Sequence, residues 1–200
     1  MEEAVESAQG IADPEIGIAD KSLEQSISSY NTDSKEASVE GALAIIYHEN
    51  KETGQMEFYL ETKSPSYSFR EYQGKNALVG GVIDPTDKSP LEALVREIGE
   101  EISDEKAQAI LVKAARENSK PSYAVESEDA DGLLVRNYVF KLEIVKEEDW
   151  EIIRNSKMTN DAGSRTLLTR DDIAKSNNDD WAFNHYSMIS SFINENYRAK

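Results

Sequence analysis

A doubled glycine opens into a strongly capped helix between Gly80 and Asp104, in the stretch GGVIDPTDKSPLEALVREIGEEISD. Ser89 suits the N-cap, Pro90 the first helical position, and Glu92 the third, so Ser89 and Glu92 are expected to form a capping box. Leu91, Leu94, Val95, Ile98 and Ile102 recur at three- and four-residue spacings and make one apolar stripe. Glu97, Glu100 and Glu101 are related by i, i+3 and i+4 and share another face. Arg96 is four residues from both Glu92 and Glu100 and can orient them. Such a helix packs one side on a sheet and gathers carboxylates on the other. Neighbouring like charges repel by a few tenths of a kcal/mol per pair, and a hard cation with oxygen ligands relieves that repulsion. The plainer reading, a solvated acidic face, is outweighed by the cap, the Gly-Gly turn and the Arg-Glu pair.

This segment resembles the Nudix box, Gly-x5-Glu-x7-Arg-Glu-apolar-x-Glu-Glu-x-Gly-apolar. The Arg-Glu-apolar-x-Glu-Glu portion is complete in Arg96, Glu97, Ile98, Glu100 and Glu101. The resemblance implies an α/β fold, a Nudix-like α/β/α sandwich with a mixed sheet. It also implies Mg2+- or Mn2+-dependent hydrolysis of a nucleoside diphosphate linked to another moiety. Glu97, Glu100 and Glu101 are then the implied metal ligands, and Arg96 the residue that holds them. Gly81 matches the box glycine, and the Gly80–Gly81 backbone is implied to lie beside metal and phosphates. Glu100 or Glu101 is the implied acceptor of the water proton. Three departures stand out. The gap from Gly81 to Arg96 is one residue longer than the family spacing. Lys88 replaces the upstream glutamate, with Asp87 as a compensating candidate. Ser103 replaces the late glycine. Lys88 and the longer loop motivate a second reading, a Nudix-fold nucleotide-binding or regulatory module with weak or no catalysis.

The net charge of −17 argues against a nucleic-acid backbone as main partner. A nucleotide would also be repelled at long range, so metal ions and basic residues near the box (Lys63, Arg70, Lys75, Lys88) would have to offset this. The absence of cysteine excludes disulfides and thiolate metal sites. Without an apolar run of membrane length or a leader-like N-terminus, a soluble, cytoplasmic protein is the default expectation.

Residues 1–39 carry nine acidic residues against two lysines, a net charge of −7, and few large apolar side chains. They read as a disordered tail. Alternatively, Ile11, Ile16, Ile18 and Leu23 pack as the arm of a homodimer. Residues 40–200 read as the hydrolase-like domain. Strands are expected at Ala42–Tyr47, Met56–Thr62, Ala77–Ile83, Tyr123–Glu126, Leu133–Val145 and Ser164–Thr169. Helices are expected at Pro90–Ile102, Asp104–Glu117, Glu147–Asn155 and Asp180–Tyr197.

Tyr67, Phe69 and Tyr72 precede the box and offer faces for a base, or else cap the sheet edge. The acidic run Glu126 to Asp131 is a further general-base candidate, or a solvated hairpin loop. His48 and His185 receive no role. The run Arg70-x3-Gly74-x3-Leu78-Val79-Gly80-Gly81 partly resembles a motif of coenzyme A pyrophosphatases, a Nudix subgroup, but that motif has Phe-Pro where Leu78-Val79 stand.

Overall fold

The first strand explains how one sheet can carry two cores. Along β1 (Val39–Glu49) successive side chains face opposite sides, as the pleat requires. Ala42, Ala44 and Ile46 enter one apolar cluster, and Leu43 and Ile45 enter the other. The computed structural model describes residues 39–128, 133–159 and 162–197. The acidic tail and its dimer-arm residues, along with Asp129 and Asp131 of the acidic run, lie outside the described residues. Val39, assigned to the tail from sequence, belongs to β1.

Among the described residues seven strands form one mixed sheet. β1 pairs antiparallel with β2 (Met56–Lys63) through its second half and with β4 (Val79–Val82) through its first half. Its other edge runs parallel to β6 (Leu134–Glu143), which pairs antiparallel with β5 (Tyr123–Glu128). The short β3 (Asn76–Ala77) and β7 (Gly163–Thr169) flank β2. The β1–β2 turn uses Asn50, whose Oδ1 accepts from the Glu52 and Thr53 amides, and Gly54 at a φ of 67°.

Helices cover both faces. α1 (Pro90–Glu101), α2 (Glu105–Glu117) and α3 (Glu147–Asn155) share the first core through Leu94, Ile98, Leu111 and Trp150. α4 (Arg170–Lys175) and α5 (His185–Tyr197) close the second through Ile173, Ile189 and Phe192. Burying each of these side chains contributes about 1.5–3 kcal/mol. The expected α/β/α sandwich with a mixed sheet is the observed fold. Among the described residues no helix is long and apolar enough to cross a membrane.

Two expectations are corrected. The single strand expected at Ala77–Ile83 is broken at Leu78, whose amide donates to Nδ1 of His185 at 3.0 Å instead of to a strand. The last helix, expected from Asp180, starts at His185. Phe183 and Asn184 adopt left-handed backbone (φ 53° and 61°), which a helix cannot contain. α4, which sequence reading missed, is six residues long and held by a Thr169–Asp172 capping box.

Burial holds the His185 imidazole neutral, and the nearby Lys63 charge adds to this, so its pKa drops from 6.5 to about 3. Between those values the unfolded chain binds the extra proton and the folded chain does not. Stability should therefore fall as pH drops from about 6.5 towards 3. Urea unfolding from pH 7 to pH 4 is expected to show a shallower decline for His185→Asn, whose side-chain oxygen can still accept from Leu78. Parallel declines would contradict this role.

Candidate active site

β2 buries two charges. Glu61 and Lys63 lie two residues apart on the strand face that carries Tyr59 into the first core. The Lys63 ammonium donates to Glu61 Oε2 at 2.6 Å and lies 3.9 Å from Glu101 Oε1. Glu101 ends α1, is itself buried, and accepts the Gly80 amide on Oε2 at 3.0 Å. Buried charges are tolerated when paired and hydrogen-bonded; Lys63 pairs with both carboxylates, and Glu61 Oε1 is left without a hydrogen-bond partner among the described groups.

The doubled glycine performs two separate tasks. Gly80 has a φ of 129°, and a Cβ there would overlap the Ala42 carbonyl across the β1–β4 pair. A Cβ on Gly81 would come within 2.5 Å of Glu97 Oε1, so the bare backbone is what leaves room for that carboxylate.

Arg96 organises the outer half. Its Nη1 donates to Glu97 and Glu100 at 2.9 Å each, and its Nη2 to the Val82 carbonyl at 2.9 Å and to Asp87 at 3.1 Å. The expected Arg96–Glu92 pair is not formed, because Glu92 accepts the Lys88 amide at 2.9 Å. The expected capping box is accordingly half present. Ser89 accepts the Glu92 amide, while Glu92 reaches Lys88 and not Ser89.

The departures from the box acquire physical readings here. Asp87 occupies the Arg96 guanidinium, and an Asp84–Asp87 turn takes up the extra residue. The Lys88 side chain is exposed. Ser103 needs no left-handed backbone. Ile102 leaves the helix extended (φ −105°, ψ 122°) and bridges to Met158, while the Ser103 amide and hydroxyl both donate to the Lys157 carbonyl.

The sequence candidates are thus only partly united. Glu97 lies over Gly81 and Glu101 beneath Gly80, whereas the Glu100 side chain is 59% exposed. Glu61, absent from the sequence reading, joins Glu101. Lys63, read as one of the basic residues near the box that offset its acidity, is buried between them. Their signal was the alternation Tyr59, Glu61, Lys63, which continues an inward-facing register into charged residues.

Electrostatics follow burial. Desolvation raises the Glu101 pKa to about 8, with the Glu61 charge adding and Lys63 opposing. Desolvation also raises Glu61 and Glu97, opposed by Lys63 and Arg96 respectively. Burial lowers the Lys63 pKa, but Glu61 and Glu101 more than reverse this, so it stays charged. Glu61 Oε1 has no hydrogen-bond partner among the described groups.

These residues suit a divalent cation. The donors are all oxygen, their negative charge is under-compensated, and a buried carboxylate oxygen lacks a partner. Among the described residues no three carboxylates or imidazoles already surround one point. The reason is visible in the contacts: Arg96 holds Glu97 and Glu100, and Lys63 holds Glu61.

An aromatic group adjoins the centre. The Lys63 ammonium sits 5.1 Å from the Tyr67 ring centroid and 6.0 Å from that of Phe183. Phe183 contacts Tyr72 at 4.1 Å, and Phe69 is exposed beside both tyrosines. Glu126 of the acidic run is instead paired with Arg136.

No family model and no curated protein matches the chain. Solved structures do. The NUDIX domain of Shewanella oneidensis NrtR, complexed with ADP ribose, aligns with a TM-score of 0.52 at 15% identity, over 83% of this chain and 93% of that one. A MutT/nudix family protein from Enterococcus faecalis gives 0.52 at 17%, over 86% and 72%. A mutT/nudix family protein from Listeria innocua gives 0.50 at 17%, over 83% and 100%. The chain has the Nudix fold.

The two glycines should respond differently to substitution. Gly80→Ala is expected to cost roughly 2 kcal/mol or more in denaturant unfolding, because the backbone itself is strained. Gly81→Ala should leave stability within about 1 kcal/mol of the parent, since the Glu97 side chain can swing away. Equal losses would contradict this division.

Proposed function

We propose that the protein is a pyrophosphohydrolase that cleaves a phosphoanhydride in a nucleoside diphosphate linked to another moiety. The observation that carries this reading is the meeting of Glu97 and Glu101 with the Gly80–Gly81 backbone in a Nudix fold, beside the partnerless oxygen of Glu61. Glu97, Glu101 and, after side-chain rotation, Glu100 are the residues proposed to hold Mg2+ or Mn2+, with Glu61 behind them. A bound divalent cation supplies neutralisation of the diphosphate and a lower pKa for the attacking water.

The chain's own residues do the rest. Arg96, anchored by Asp87 and the Val82 carbonyl, fixes Glu97 and Glu100. Gly81 keeps the approach to Glu97 free of a side chain. Glu101 or Glu100, ionised, accepts a proton from water as its oxygen bonds to phosphorus. The bridging P–O bond breaks, and its electron pair leaves with the departing phosphate. Tyr67, Tyr72 and Phe183 offer aromatic faces to a planar group of the substrate. The net charge of −17 supports a small ligand over a nucleic-acid backbone.

One observation favours the second reading, a nucleotide-binding module: two cations, Lys63 and Arg96, already occupy the carboxylates. A single assay separates the two. Phosphate or nucleotide release is measured with ADP-ribose, NADH, coenzyme A, dinucleoside polyphosphates and (d)NTPs, each with Mg2+ or Mn2+. Hydrolysis should require the cation and fall by roughly 100-fold or more in Glu101→Gln. Full activity in that variant would overturn the assignment. Calorimetric binding without product on any compound would establish the module instead.

A further inference from the structure

The carboxylate centre contains a cation that its fold and box do not call for. The Lys63 side chain is 8% exposed, and its ammonium lies 2.6 Å from Glu61 and 3.9 Å from Glu101. The Glu61 side chain is fully buried, and its second oxygen has no donor among the described groups. Lys63 thus satisfies half of Glu61 and sits between two carboxylates, as a metal ion would. The Tyr67 and Phe183 rings also lie near the ammonium, at 5.1 and 6.0 Å. These faces attract a cation and place no hydrogen-bonding demand on it.

We propose that the Lys63 ammonium is a built-in, displaceable counter-cation of this centre. It neutralises Glu61 and lies against Glu101 while no divalent ion is bound, and an ion that engages those carboxylates drives it out, towards the aromatic faces. Two cations cannot both occupy the gap between Glu61 and Glu101. A divalent ion carries twice the charge of an ammonium and can take several carboxylate oxygens at once, including the one Lys63 leaves unmet. The exchange sets a threshold: the ion binds more weakly by the free energy of the lysine contacts it breaks. This inference rests on the hydrolase reading of the same site, and it concerns ion exchange rather than turnover.

The test uses the whole protein. Reductive methylation of lysines, read peptide by peptide by mass spectrometry, reports whether Lys63 is covered. Labelling of Lys63 should be slow without divalent ion and rise at least five-fold with saturating Mg2+, while exposed Lys88 and Lys113 stay unchanged. In parallel, calorimetry with Mn2+ alone should show at least ten-fold tighter binding by Lys63→Met, which keeps the length of the stem but not the charge. The methylation result stands on the parent protein even if that variant fails to fold. Mn2+ binding to the parent with Lys63 labelling unchanged would overturn the exchange and leave the metal-dependent reading intact. Binding by Lys63→Met but not by the parent would overturn the exchange, making Lys63 a permanent counter-cation, and would remove the metal-dependent reading of the parent. No binding by either protein would overturn both.

Discussion

The site depends on the burial of Glu101. A carboxylate at the end of α1 is pressed against β4, where it accepts the Gly80 amide and faces a second buried carboxylate, Glu61. Uncompensated, such a pair would cost several kcal/mol per ion. Lys63, the Gly80 amide and a raised pKa offset that cost together. The Gly80 amide meets Glu101 from a backbone that requires glycine, because a Cβ there would overlap the Ala42 carbonyl, while the bare Gly81 leaves room for the Glu97 carboxylate.

The outer half follows a different rule. Arg96, Glu97 and Glu100 remain partly in contact with solvent, so their ion pairs fix orientation more than they stabilise the fold. Arg96 is nevertheless tied to backbone through the Val82 carbonyl. The helix face that would meet a ligand is thereby referenced to β4. A rigid inner carboxylate and an adjustable outer pair give the centre both a fixed point and room to rearrange.

Much of this was legible in the residues because local rules agreed. The helix at Pro90–Glu101 follows from its cap and stripe, and Glu147–Asn155 was readable to the residue. Arg96 and the glutamates were identifiable because their spacing is short-range. What escaped was set by long-range contact. The break at Leu78 needs His185, more than a hundred residues away. The delayed start of α5 reflects left-handed backbone at Phe183 and Asn184, which no local signal announces. Glu61, and the burial of Lys63, were hidden because charged residues in a strand usually face water. The exchange of Glu92 for Asp87 as partner of Arg96 turned on a loop one residue longer than expected, whose geometry periodicity does not encode.

The central claim is that the carboxylates gathered around Gly80 and Gly81 hold a divalent cation. Crystals grown with Mn2+ and measured at the manganese absorption edge test it most directly. The account predicts an anomalous peak coordinated by Glu97 and Glu101, with the Lys63 side chain withdrawn from Glu101. A data set with full manganese occupancy elsewhere on the protein, and none at these glutamates, would contradict it.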